Sequence, residues 1–519
     1  MKIVKIMKIM KIMKIKAFFL FVLALQFSAC AAPTYNKKAQ TQTKETPQWW
    51  YQQGVDRVQQ LALQNPYPNK AKNIILFIGD GMSISTITAA RIYQGQQHGG
   101  YGEENQLSFE KFPQTALSKT YNINQQTPDS AGTMSAIMTG VKTKAGVISV
   151  DSMVDLDDCD SGKNHQRMTL LEWAENNGFN TGIVTTARLT HATPAATYAH
   201  SVSRHWESDR NIPVEQREKG CADIARQLIE FSYGDGIEVA MGGGRENFIS
   251  NRHNDPEYIK QVGSRLDNRD LMQEWQQKYK ASAVVWNKKQ FDALDVNNIQ
   301  HLLGVFEPSH MQYKHDRPHD GAGEPSLKAM TLKALQLLTH KNKPFFLVIE
   351  AGRIDHAHHA GNAYRALSET IELSNAVATA LAHINLDETL VLVTADHSHT
   401  FNLAGYPERG NPILGVVKNT DKAGNLSGEV SKDAQGKSYT TLSYANGPGY
   451  VNGDQRTDLS HVDVQGADDK QAAIIPVISE SHSGEDVVIY AIGAGSQTVH
   501  GTIEQNVLYH IMKHALEQK

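Results

Sequence analysis

Six short apolar runs, bounded by glycine or polar residues and separated by helical patterns, constrain the fold of this chain most. They are NIILFIG (73–79), TGIVTTA (181–187), IEVAMGG (237–243), FFLVIEAG (345–352), TLVLVTAD (389–396) and DVVIYAIG (486–493). Uninterrupted runs of this kind suit strands buried on both faces; a sheet with one wet face would alternate apolar and polar residues. Between them, TLLEWAENNG, CADIARQLIEF, PSLKAMTLKALQLLTHK and YRALSETIELSNAVATALAHI repeat apolar residues at helical spacing. The alternation predicts an α/β fold, a doubly wound and mostly parallel central sheet flanked by helices, over residues 50–519. Residues 251–325 and 401–480 break the alternation and read as insertions on that domain.

The N-terminus stands apart. A Lys-rich stretch, MKIVKIMKIMKIMKIK, precedes the apolar AFFLFVLALQFSA and then CAA, the layout of a secretory signal over residues 1–29. Phe27-Ser28-Ala29-Cys30 resembles a lipoprotein box, which would acylate Cys30 and anchor the protein to a membrane. Ala29-Cys30-Ala31 also reads as an ordinary cleavage site, so both processing routes stay open. Either way the protein is expected to be exported, to the periplasm or the outer membrane and cell surface, with residues 30–49 as a flexible tether. Three Cys leave one unpaired; with Cys30 lipidated, Cys159 and Cys221 remain to form a disulfide or to stay as two buried thiols. A net charge of −4 carries no polyanion-binding signature and argues against nucleic acid as a partner.

Ligands of open α/β sheets collect at the carboxyl ends of the strands, and the acids and imidazoles of this chain fall there. Asp80 ends the first run, Glu350 and Asp355 come with FFLVIEAG, Asp396-His397 end TLVLVTADHSH, and His482 precedes the last run. One such acid would more simply cap a helix; four chain-distant segments converging on one edge imply a metal site. Within EAGRIDHAHHAGN (350–362), Asp355 and His359 are one helical turn apart and share a face, a pair suited to Zn²⁺. His356 and His358 point elsewhere. Ser130, in TPDSAGTMSAIMTG (127–140), follows Asp129 and opens a small-residue helical pattern whose N–H groups would face an anion. It is a candidate nucleophile, unless Ser130 or Asp129 merely caps that helix.

NIILFIGDGMS, PDSAG, THATPAATYAHSVSR, EAGRIDHAHHAG, TADHSHTF and SHSGEDV together resemble the alkaline phosphatases, in the same order and over residues 70–515. FEPSHMQY and NGPGY are similar to the animal tissue type more than to the enterobacterial type. The resemblance implies a phosphomonoester hydrolase with two Zn²⁺ and one Mg²⁺ per subunit. Asp355, His359 and His482 would hold one Zn²⁺, and Asp80, Asp396 and His397 the other. Asp80 would bridge to Mg²⁺ with Thr193 and Glu350. Ser130 would be phosphorylated during turnover, and Arg204 would clamp phosphate bidentately. His191, His356 and His399 would stand beside the metals. Glu257, the carbonyl of Phe306, Glu307 and Glu324 match a fourth, Ca²⁺, site of the animal type. Residues 401–480 match the insertion that helps cover the interface of a homodimer.

Two other readings remain. A phosphodiesterase or sulfatase of the same superfamily would want Thr as nucleophile or a modifiable residue in a C/S-x-P-x-R context, and PDSAG fits neither. A non-catalytic zinc-binding lipoprotein would need neither Ser130 nor Arg204.

Overall fold

The apolar runs lie side by side in a single ten-stranded sheet. The computed structural model describes residues 46–64, 70–340, 342–452 and 456–517. In chain order the strands are β1 (Asn73–Gly79), β2 (Gln114–Lys119), β3 (Asn180–Arg188) and β4 (Val239–Gly243). β5 (Ser282–Val285), β6 (His301–Val305), β7 (Phe345–Ala351) and β8 (Thr389–Thr394) follow. Strands Val487–Gly493 and Gly501–Glu504 complete the set. Across the sheet the order is 501–504, β2, 487–493, β8, β1, β7, β3, β4, β6, β5. Every pairing from β8 to β5 is parallel, whereas strand 487–493 runs antiparallel to β8 and β2.

Burial on both faces explains the continuous apolar runs. Ile74, Leu76 and Ile78 of β1 join one core cluster, while Ile75 and Phe77 join another. β7 splits likewise, Phe346 and Val348 against Phe345, Leu347 and Ile349. Successive side chains of an extended strand point to opposite faces, so each central strand must supply apolar residues to two cores. Helices Ser130–Thr139, Leu170–Asn176, Ala192–Tyr198, Ile224–Glu230 and Val507–Glu517 cover the first face. Ile84–Gln97, Leu327–Thr339 and Ala363–Leu381 cover the second.

Two boundaries differ from the sequence reading. A helix spans Pro47–Gln64, so the expected tether of 30–49 is already helical at its end. The cause is PQWWY: Trp50 is buried, its carbonyl accepts from Asn506 Nδ2 at 3.0 Å, and Tyr51 packs edge-on against His510. Residues 251–325 are not wholly outside the sheet, because β5 and β6 form its far edge. Their runs, SAVV and HLLGV, are too short and polar-flanked to stand out in sequence. Residues 401–480 build a separate three-stranded sheet from Phe401–Leu403, Leu442–Gly447 and Ala473–Pro476. The signal reading, Cys30 and most of the tether lie outside the described residues. Among the described residues no helix is long and apolar enough to cross a membrane.

Candidate active site

The parallel sheet brings the carboxyl ends of β1, β7, β3 and β8 to one edge, and the candidate residues follow those ends. Asp80 comes directly after β1, Glu350 is the penultimate residue of β7, and Asp396 lies two residues past β8. Strand 487–493 is antiparallel, so its beginning shares this edge. That is why His482, which precedes it in sequence, arrives at the same place. A short antiparallel pairing of Ser398–His399 with His482–Ser483 sets His482 beside His399. The turn after Asp80 needs glycine. Gly81 has φ +67°, a Cβ there would lie 2.3 Å from the His399 ring, and its N–H donates to Asp396 Oδ1 at 3.1 Å.

Ser130 is the first residue of the helix Ser130–Thr139, and Asp129 is its cap, accepting from Gly132 N at 3.0 Å. Capping by Asp129 leaves the hydroxyl of Ser130 free to face His397, with Oγ to Nε2 at 3.0 Å. The His397 Nε2 is in turn 3.3 Å from both Asp80 Oδ1 and Asp396 Oδ2. Asp129 also fixes Arg204: its Oδ2 takes Arg204 Nη1 at 3.0 Å and Gly146 N at 3.0 Å. Arg204 Nη2 lies 3.3 Å from His191 Nε2.

Asp355 collects three imidazoles on one oxygen. Nε2 of His399 is 2.7 Å from its Oδ1, and those of His359 and His482 are both 3.3 Å away. The Nδ1 atoms of His359, His482 and His397 each face a backbone carbonyl, of Glu480 (2.5 Å), Pro128 (2.8 Å) and Ser398 (3.3 Å). A proton held there leaves Nε2 as the ring's lone-pair donor, the arrangement a metal-binding histidine needs.

Donor atoms converge in sets whose members lie within 4.8 Å of one another: Asp80–Asp396–His397, Asp80–His191–Glu350, and Asp355–His397–His399–His482. Both oxygens of Asp80, Oε1 of Glu350 and Oγ1 of Thr193 are buried without a hydrogen-bond partner. Thr185 donates its hydroxyl to the other oxygen of Glu350. Burial, then the carboxylates of Asp396, Asp355 and Glu350, push Asp80 well above the usual carboxylate range. Burial also raises Asp396, and takes Glu350 to about 7. Buried acids crowded together in this way lack a counter-charge, and divalent cations supply it. The residues present therefore fit the metals.

The structure also places residues that sequence reasoning missed. The His310 and His356 rings lie 3.9 Å apart at a tilt of 51°, and His310 meets His191 edge-on at 5.3 Å, making a wall of three imidazoles. Burial keeps all three well below their ordinary pKa, hence neutral. His358 is an anchor, its ring nitrogens 2.9 Å from Thr86 Oγ1 and 2.9 Å from the Tyr444 hydroxyl. At the expected Ca²⁺ site, Glu257 and Glu307 converge with Asp320, whose oxygens are both buried and unpaired. Glu324 meets Arg317 Nε at 3.1 Å through Oε1 and keeps Oε2 buried and unpaired, and the Phe306 carbonyl accepts from Arg245 Nη1 at 2.9 Å. Asp320 had a weak signal, an acid just before the glycine-rich GAG of HDGAG. Glu480 had a better one: in an extended ESH segment it shares a side with His482. Cys159 and Cys221 are joined as a disulfide.

Zinc storage has no use for a serine held at the rim of paired acid–imidazole sets, so fold and site together define a metal-dependent α/β hydrolase. The sequence model of the family described as Alkaline phosphatase matches residues 71–518. The tissue-nonspecific alkaline phosphatase of Gallus gallus is 42% identical over 508 residues, 96% of this chain and 93% of that one. An alkaline phosphatase of Gadus morhua is 42% identical, over 90% of this chain and 95% of its own. Among solved structures, that of the Thermus thermophilus alkaline phosphatase superposes with a TM-score of 0.60 at 24% identity, covering 88% of this chain and 94% of that one. The enzyme of the Antarctic bacterium TAB5 gives a TM-score of 0.58 at 23% identity, covering 87% and 100%. This chain belongs to the alkaline phosphatase family and is a phosphomonoester hydrolase.

Proposed function

We propose that Ser130 is the nucleophile and that Asp80, Thr193, Glu350, Asp355, His359, Asp396, His397 and His482 hold two Zn²⁺ and one Mg²⁺, divided as the family resemblance implies. His191 is close enough to Asp80 and Glu350 to join the Mg²⁺ set. The observation that carries the reading is Ser130 Oγ, nearly inaccessible, 3.0 Å from the imidazole that Asp80 and Asp396 both approach. Bound at these residues, the metals supply Lewis-acid charge for ionising a hydroxyl and stabilising a leaving alkoxide. Ser130 Oγ attacks phosphorus, the ester P–O bond breaks, and the alcohol departs. Water then cleaves the phosphoserine, returning the Ser130 hydroxyl and inorganic phosphate. Arg204, aligned by Asp129, offers its planar fork to the phosphoryl oxygens, and helix 130–139 directs its first N–H groups toward them. The family acts on a range of phosphomonoesters, and neutral His191, His310 and His356 form an uncharged wall for this pocket.

The test is metal removal. Chelation should abolish phosphate release from an aryl phosphate at alkaline pH, and Zn²⁺ with Mg²⁺ should restore it, with two zinc and one magnesium bound per chain. Full activity in metal-free protein would refute the assignment.

A Ca²⁺ at Glu257, Glu307 and Asp320 is favoured by an all-oxygen donor set and by burial, which raises Glu257 and takes Glu307 to about 7. Export with a lipid on Cys30 is favoured by the Lys-rich and apolar N-terminal sequence and by the disulfide, which needs an oxidising compartment. A homodimer, the common state of the family, is favoured by exposed Ile474, Ile475, Val477 and Ile478 on the 401–480 segment. Membrane fractionation of Cys30→Ser and sedimentation of Ile478→Glu test the last two; unchanged behaviour of either variant rejects its reading.

A further inference from the structure

Glu480 lies at the end of the 401–480 segment, two residues before His482, and its carboxylate is buried at 1% exposure. It touches two imidazoles of the site and uses both backbone and side chain to do so. Its carbonyl accepts from His359 Nδ1 at 2.5 Å, while its N–H donates to the His359 carbonyl at 3.0 Å. Its Oε2 meets His399 Nδ1 at 2.5 Å, and the other ring nitrogen of His399 reaches Asp355 Oδ1 at 2.7 Å. Its Oε1 takes Thr400 N at 2.7 Å and the Thr400 hydroxyl at 2.6 Å, so the carboxylate cannot swing away without losing three bonds. The two links end on Asp355 and His359, a helical turn apart on one face.

We infer that Glu480 is a positioning residue for the zinc site of Asp355, His359 and His482, an inference that rests on the ligand assignment above. Through its carbonyl it holds the His359 proton on Nδ1 and turns Nε2 toward the metal. Through His399 it fixes the carboxylate plane of Asp355. It also ties the 401–480 segment to the metal site, since the same residue closes that segment. Carboxylates and carbonyls behind metal-bound histidines set ring orientation, and losing one costs about 10- to 100-fold in metal affinity or activity.

The experiment is competition for Zn²⁺ against a chelator of known affinity, using the full chain and the variants Glu480→Gln, Glu480→Asp and Asp355→Asn. Glu480→Gln keeps the shape and the backbone carbonyl but offers His399 an amide in place of a carboxylate. Zinc affinity should fall about 10- to 100-fold. The melting temperature of the metal-stripped protein should stay within a few degrees, and the visible bands of the Co²⁺-substituted site should shift. Glu480→Asp should weaken zinc as well, its carboxylate being too short to reach His399; if Glu480→Gln does not fold, this variant decides. Asp355→Asn should weaken zinc most. Parental zinc affinity and Co²⁺ bands in the foldable Glu480 variants, with Asp355→Asn weakened, would overturn the inference alone. Parental affinity in Asp355→Asn would overturn the ligand assignment and the inference together.

Discussion

Ser130→Ala is expected to lower kcat for an aryl phosphate by about three orders of magnitude or more, with little change in folding stability. The hydroxyl has one polar partner, Nε2 of His397, and sits at the first turn of a helix that Asp129 already caps. Removing Oγ therefore deletes the atom proposed to form the bond to phosphorus and should leave the fold intact. Removing a covalent nucleophile commonly costs several powers of ten, the residue left being what binding and electrostatic stabilisation achieve with water alone. Arg204 and the carboxylate and imidazole sets remain in this variant, so substrate should still bind and KM should change much less than kcat. Acid quenching during turnover should trap phosphate on the peptide containing Ser130 in the parent and not in the variant. A variant with parental kcat, or a trapped phosphate on another residue, would contradict the assignment.

The central sheet was readable because burial on both faces leaves an uninterrupted apolar run, and all six runs are strands of it. Its edges were not readable. β2 (QTALSK) is exposed along one side, strand 501–504 (GTIE) opens with two exposed residues, and the short β5 resembles the polar loops around it. The site follows the same division. Asp80, Glu350 and Asp396 occupy the ends of central strands, where an acid after an apolar run is visible. Their convergence follows from parallel pairing of β7 with β1 and of β1 with β8. His310, Asp320 and Glu480 come from loops, whose path is set by contacts that no periodicity encodes. Asp320 joins Glu257 and Glu307 from such a loop, while Glu324 bonds Arg317 through one oxygen and keeps the other buried and unpaired.

Removing the disulfide is expected to destabilise the protein by about 4 kcal/mol while sparing much of kcat. Cys159 and Cys221 are 62 residues apart, and closing a loop of that length restricts the unfolded chain by about 4 kcal/mol in the chain-entropy account. The loop contains β3, the helix Ala192–Tyr198 with Thr193, and both His191 and Arg204. It is therefore the part of the chain that carries Arg204, the proposed phosphate clamp, and Thr193, a proposed Mg²⁺ donor. Cys159 packs in a small cluster with Val147, Val150, Val154, Val202, Trp206 and Ile212, so the bridge fastens that cluster directly beside Arg204. Arg204 has further supports that do not depend on the bridge: its N–H donates to the Gly146 carbonyl at 2.7 Å, and its guanidinium meets Asp129 at 3.0 Å. The paired variant Cys159→Ser/Cys221→Ser should accordingly unfold at lower denaturant in equilibrium melts, and its KM should rise more than its kcat falls. Because Ser130 and all six proposed zinc donors lie outside the loop, chemistry in the folded fraction should persist. An unfolding midpoint equal to the parent's under non-reducing conditions would show that the bridge does not restrain the loop bearing Arg204.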